Sequence, residues 1–212
     1  MEYNDSIWQN SSYVPDYDNY EYVIASLPAL TPDNRSITPQ QADELIGEIR
    51  QSLKAADRKL LDLLLASYTE EGPGEQYYRE ALGCKSRFLR RFSRFDLDLR
   101  NAKTAYLNEA LGREPGLDLV LADAEEGGDC EDGERLRNIL HDSDILRRER
   151  NLDDLCWEKI DELTGMEVFS LDCILGFVVK LKIIERWTAL DPQTGREMFR
   201  KLVDEIRKTR SI

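Results

Sequence analysis

Between Gly83 and Gly112 the chain holds neither glycine nor proline, and its apolar residues return at helical spacing throughout. Phe88, Phe92 and Phe95 fall near i, i+4 and i+7, the stripe that a helix turns toward a core. A segment so long with that period is helical, either as one bent helix or as two long ones. Asp96 and Asp98 mark where a second helix would begin, because carboxylates favour the positive end of a helix dipole.

The flanking sequence repeats the pattern. Thr38-Pro39-Gln40-Gln41 opens a helix: Thr38 caps, Pro39 suits the first position and Gln41 completes a capping box. Leu45, Ile46, Ile49 and Leu53 carry it on. Ala55–Tyr68 is a second helical run, stopped by Gly72-Pro73-Gly74, and Glu75–Leu82 a third. Further on, Glu134–Asn151 and Leu152–Leu163 read as two charged helices, and Val168–Leu190 as the main apolar one. There Ile174, Phe177, Val178, Leu181 and Ile184 are expected to be buried. Asp191-Pro192 opens a last helix through Met198, Phe199, Leu202, Val203 and Ile206. Only Tyr20–Leu27 is rich in strand formers, and no second strand stands ready to pair with it. The expected fold is therefore all-α, a multi-helix bundle of long helices with at most one short N-terminal strand.

Four regions follow: an arm over 1–19, a helical half over 20–111, an acidic loop or linker over 112–134, and a second helical half over 135–212. Residues 112–134 carry nine acids, one base and five glycines. Charge repulsion and glycine entropy both oppose packing them.

Composition excludes several functions. The net charge of −13 argues against nucleic acid or an anionic membrane as main partner. The only histidine is His141, and Cys84, Cys130, Cys156 and Cys173 form no C-x-x-C pair, so no ordinary Cys/His zinc set assembles. His141-Asp142-Ser143-Asp144 is cap chemistry rather than a triad, which needs residues brought together from separate places. Asp123, Glu125, Asp129, Glu131 and Asp132 do not have EF-hand spacing. No phosphate-cradling glycine loop is present. The expectation is a non-enzyme without cofactor, metal or small-molecule substrate. The N-terminus lacks a basic start and an apolar core, so a cytoplasmic location is expected.

One stretch opposes the overall charge. From Lys85 to Lys103 there are seven basic residues and two acidic ones. Arg87, Arg90, Arg91 and Arg94 share it with the phenylalanine stripe. Three uses stay open for them: ion pairs within the chain, a protein partner, or nucleic acid phosphates. Arg100 and Asn101 join them as candidate partner-binding residues. Asn101, set among Leu97, Leu99, Ala102, Ala105 and Tyr106, is either a surface residue or a buried one that bridges helices.

Asp96-Leu97-Asp98-Leu99-Arg100-Asn101-Ala102-Lys103-Thr104-Ala105-Tyr106-Leu107 resembles a segment of the A/V-type ATPase component that is called d in eukaryotes. The chain is more similar to an uncharacterised bacterial family encoded with V-type ATPase subunits. That similarity rests on Tyr20–Pro28, Phe95–Leu107 and Val179–Trp187. The resemblance implies a non-catalytic subunit or accessory protein that couples the soluble motor to the membrane ring. Its partners would be V-type ATPase subunits, and it would reach the inner membrane only through the complex. The alternatives are a generic helical adaptor and a small RNA-binding regulator.

Overall fold

The computed structural model describes residues 20–33, 37–69, 72–121, 132–165 and 168–190, together with Arg200. The expected arm (1–19), residues 122–131 of the acidic run and, except for Arg200, the expected last helix from Asp191 on lie outside the described residues.

Among those residues the fold is all-α, with no strand. Eight helices follow in order: α1 (Glu21–Ser26), α2 (Pro39–Ser52), α3 (Ala55–Leu65, continued by a 3-10 turn at Ala66–Tyr68), α4 (Glu75–Gly83), α5 (Arg87–Ala110), α6 (Gly133–Leu140), α7 (Ile145–Thr164) and α8 (Leu171–Ala189). The two longest-range organisers are α5 and α8. The first packs against α4, α6, α7 and α8, and the second against α2, α3, α5 and α7. One core runs from Tyr20 to Ile184 and takes side chains from both halves of the sequence.

Helix starts follow local chemistry. Thr38 accepts a hydrogen bond from the Gln41 amide at 3.3 Å, and Gln41 Oε1 accepts from the Thr38 amide at 2.9 Å, which completes the capping box. Replacing Thr38 with alanine is expected to cost about 1 kcal/mol, read as a lower denaturation midpoint with an unchanged slope. At the far end of α5, Gly112 has φ +67°. Its amide donates to Glu109 O at 3.0 Å and that of Arg113 to Asn108 O at 2.8 Å. This Schellman turn is the reason the helix stops at that glycine.

Three expectations are corrected and one open alternative is settled. Tyr20–Leu27 is not a strand but the short helix α1. Tyr20 is buried ahead of it, its amide donating to Phe169 O at 3.0 Å and its hydroxyl to Asp57. Anchoring by tertiary contacts overrides the strand-forming composition. Of the two alternatives for 84–111, the structure has one helix, beginning at Arg87; Asp96 accepts a hydrogen bond from the Tyr78 hydroxyl at 2.7 Å instead of capping a new start. The break after the acidic run falls at His141–Asp144 rather than at Asn151, since Asp144 caps α7 by accepting from the Arg147 amide at 3.1 Å. In α8, Ile174, Val178, Leu181 and Ile184 are buried as expected, but Phe177 is only partly so.

No helix among the described residues is long and apolar enough to cross a membrane. Asp172, Lys180 and Lys182 interrupt the apolar run of α8.

Candidate functional site

Ser86 caps α5, its hydroxyl accepting from the Leu89 amide at 3.1 Å. At about 100° per residue, Arg87, Arg90, Arg91 and Arg94 occupy an arc of roughly 100°, and Phe88, Phe92, Phe95 and Leu99 lie about 120° round from it. The phenylalanines are buried. Phe88 and Phe92 stack at 5.6 Å between centroids, and Phe95 lies 6.4 Å from Phe92. Burial leaves none of these rings free to stack on a nucleobase.

The four arginines have unequal ties. Arg90 donates to Cys84 O at 2.8 Å and Lys85 O at 2.9 Å, fastening the turn between α4 and α5. Arg91 lies 3.6 Å from Glu162 of α7, with both side chains about half exposed. Such a pair contributes at most about 1 kcal/mol. Arg94 is half-buried and lies near enough to Asp98 to favour its ionised form, against the burial that raises that carboxyl. Arg87 is exposed and, among the described residues, has no hydrogen-bond or ion-pair partner. All four sit in the first two turns of a 24-residue helix whose first turn holds no acid. The dipole is positive over the first turn, so Arg87 and Arg90 add like charge to it.

Arg100 and Asn101 are not part of this surface. Arg100 points roughly 130° away from the stripe and donates to Pro73 O, holding the turn before α4. Asn101 lies on the stripe side but is committed to the chain itself. Its amide donates to Val120 O at 2.9 Å and its carbonyl accepts from the Val120 amide at 3.0 Å. Two turns on, Asn108 is buried and donates to Leu117 O at 2.8 Å. Together they fasten residues 117–120 to α5, and Val120 and Leu121 pack beside Tyr77, Tyr78 and Leu97 while Leu117 and Asp118 stay exposed. The fastening holds a costly backbone, because Leu121 has φ +50° and Asp118 φ +61°. Asn101→Ala leaves both polar groups of Val120 without their partners and should cost about 1–3 kcal/mol. Hydrogen exchange at residues 117–121 is the measurement, and it should accelerate there while α8 stays protected.

A cleft of about 460 Å³ opens between α5, α7 and α8, lined among others by Phe92, Asp96, Lys103, Asp153, Cys156 and Arg186. Its charges are largely matched. Arg186 donates to Asp153, which also accepts from the Trp187 indole, and Lys182 lies 2.7 Å from Glu185. Burial pushes the Cys156 thiol up to about 12, which keeps it protonated and unreactive at neutral pH. Among the described residues no group of three or more His, Cys, Asp or Glu is placed to hold a metal ion.

Burial also raises the Asp96 carboxyl, opposed by the hydrogen bond from Tyr78 and by the charges of Arg100 and Lys103. The folded state therefore takes up this proton ahead of the unfolded chain as pH falls, and the cost of the buried charge disappears below that point. Asp96→Asn keeps an acceptor for Tyr78 and removes the titration. The variant's melting temperature minus that of the wild type should be largest near neutrality and shrink as pH drops through the acid range. A difference independent of pH would contradict the assignment.

Sequence reasoning missed Asn108, the Tyr78–Asp96 bond and the Tyr77–Ser93 hydroxyl pair at 3.2 Å that fix α4 on α5. The signal for Asn108 was its place seven residues after Asn101, on the same face.

Residues 74–210 match the model of a family described as protein of unknown function (DUF2764). The match covers more than half of the chain, and the chain belongs to that family. It starts at the cap of α4 and includes all of α5, α6, α7 and α8. No curated protein and no solved structure matches the chain.

Proposed function

We propose that this DUF2764 protein is a non-catalytic accessory subunit of a bacterial V-type ATPase, held to the soluble motor through the arginine stripe of α5. The observation that carries the reading is the placement of Arg87, Arg90, Arg91 and Arg94 at the positive end of α5. Like charge in the first turn of a helix costs about 0.3–1 kcal/mol per side chain; this falls on Arg87 and Arg90, and Arg87 has no partner among the described residues to offset it. An acidic partner surface would offset that cost, and arginine suits such a role because its planar fork binds carboxylates through two hydrogen bonds.

The resemblance to proteins encoded with V-type ATPase subunits supports the choice of partner. Two of its three blocks, Phe95–Leu107 and Val179–Trp187, supply facing walls of the α5–α8 cleft. Long helices sharing one core give the stiffness that a coupling subunit needs. The adaptor reading predicts the same surface but a different complex. The RNA reading is disfavoured by the buried phenylalanines and the net charge of −13.

Affinity purification of the tagged full chain from its own host, in gentle salt, tests the assignment. V-type ATPase subunits should be recovered in fixed proportion. Recovery of a stable complex lacking all of them would transfer the chain to the adaptor class.

A further inference from the structure

The cleft between α5, α7 and α8 holds two charges that its own ion pairs leave incompletely satisfied. α5 lines it with Phe92, Asp96, Leu99 and Lys103, a stripe at i, i+4, i+7 and i+11 along one face. Of the charges opposite, Arg186 donates to Asp153 and Lys182 donates to Glu185. Neither Asp96 nor Lys103 is matched as closely. Tyr78 takes Asp96 Oδ2, and Oδ1 makes no hydrogen bond among the described residues. The Lys103 ammonium lies 3.6 Å from Glu149, beyond a hydrogen bond, and its side chain is one third exposed. Glu149 itself does not line the cleft. Asp96 and Lys103 stand about 10 Å apart in helix rise, yet the lysine charge still favours the ionised Asp96 carboxyl.

The ion pairs fix what lies between the two. Arg91 to Glu162 and Lys103 to Glu149 run α7 antiparallel to α5. Arg186 to Asp153 and Lys180 to Asp161 run α8 back again, parallel with α5. Cys156 is then level with Asp96, and Arg186 with Leu99, one turn short of Lys103. The Cys156 thiol stays protonated and adds no charge. Leu99, Val179 and Ile183 give the cleft an apolar wall, and the Tyr68 hydroxyl, which has no hydrogen bond among the described residues, closes one side. At about 460 Å³ the space is of the size that holds small ligands. We propose that this cleft binds a small zwitterion with an apolar body, of the class of the aliphatic α-amino acids, its ammonium on Asp96 and its carboxylate at Lys103. Asp96, Asp153 and Glu185 balance Lys103, Lys182 and Arg186 among the described lining residues, so a ligand of net zero charge leaves the balance intact. A simple cation or anion would satisfy only one of the two open groups. An ammonium at Asp96 also offsets the cost of a half-buried carboxylate. The flexible lysine stem can reach back along the helix, so an α-amino acid with a charge-assisted hydrogen bond of about 2.8 Å at each end bridges the pair. The stripe that lines the cleft lies about 120° round α5 from the arginines, and the proposal stands apart from the ATPase assignment.

The experiment titrates the full chain with leucine and with its two one-ended analogues, isoamylamine, which lacks the carboxylate, and 4-methylpentanoate, which lacks the ammonium. Calorimetry compares the wild type with Asp96→Asn and with Lys103→Gln. Asp96→Asn keeps the acceptor for Tyr78, and Lys103 has only a loose ion pair to lose, so melting curves should show both variants folded. Leucine should bind the wild type at millimolar concentration, and each analogue should bind tenfold or more weakly. Asp96→Asn should weaken leucine tenfold or more and leave it no better than 4-methylpentanoate. Lys103→Gln should likewise bring leucine down to isoamylamine. Absence of leucine binding to the wild type would overturn the proposal, as would leucine affinity unchanged in both folded variants. Isoamylamine binding as well as leucine would also overturn it and make the cleft a cation site, and 4-methylpentanoate binding as well as leucine would make it an anion site.

Discussion

Phe88→Ala is expected to lower stability by about 3–5 kcal/mol, the usual range for removing a buried phenylalanine. The ring is 1% exposed and stacks on Phe92 with an interplanar angle of 3°. It also lies against the crossing of α7 and α8, with Cε2 3.6 Å from the position that a Cβ on Gly176 would take. Three helices therefore lose a common contact at once, and none can close the gap without leaving the others. Domains of this size are stable by about 5–15 kcal/mol, so the loss is a large share of the total. Urea denaturation should show a much lower midpoint with little change in slope. Phe177→Ala, at a position only partly buried, should cost clearly less. Equal costs at the two positions would mean that the α5–α7–α8 junction is not the centre of the core.

Gly176→Ala is the second large effect, and its sign is informative. Alanine in place of glycine inside a helix normally stabilises by about 1 kcal/mol. Here the added Cβ would stand 2.7 Å from Thr164 Cγ2 and 2.9 Å from Ile160 Cγ2. Both methyls belong to β-branched side chains, which are stiff at χ1 in a helix. Ile160 has one favoured rotamer in a helix, and Thr164 is held by its hydroxyl, which donates to Ile160 O at 2.9 Å, so relief must come from α7 and α8 moving apart. Overpacking of this kind costs about 1–3 kcal/mol and cancels or exceeds the propensity gain. Net destabilisation is expected, with a larger loss for Gly176→Val. Thr164→Ser removes the nearer methyl, and in the Gly176→Ala background it should restore part of the stability. A stabilised alanine variant would show that the two helices are free to move apart.

Much of the fold was legible where capping chemistry and period agreed. Thr38 with Gln41, the Gly72-Pro73-Gly74 stop and the Gly112 end were readable because each acts through a few neighbouring residues. Tyr20–Leu27 was not, because its tyrosines and β-branched residues favour strands in general, and the helix there depends on contacts of Tyr20 with Asp57 and Phe169. The start of α7 is set by the cap at His141–Asp144, and the charged period running through that stretch hides it. Asp96 and Asp98 suggested a break because acids favour helix starts, whereas Asp96 serves α4 across the interface.

The candidate site was legible in part for the same reason. Periodicity alone placed Arg87, Arg90, Arg91 and Arg94 on one face. It also sets Arg100 about 130° round from them, but it could not separate Asn101, which falls on the same side and whose partner, Val120, is 19 residues away in sequence. Gly176 was passed over for a similar reason, because a glycine in an apolar helix signals a close approach only once the facing methyls are known.

The most direct measurement of the central claim is the affinity of the purified chain for purified V-type ATPase from the same host, compared with an Arg87→Glu/Arg94→Glu variant. Binding should fall steeply with salt and drop about tenfold or more on charge reversal, equivalent to about 1.4 kcal/mol or more, while the variant melts no lower than the wild type, since glutamate at the first position of α5 suits its dipole. Equal affinity of both for the ATPase, or a large drop in melting temperature with binding retained, would contradict the claim and leave the arginines as internal struts of the bundle.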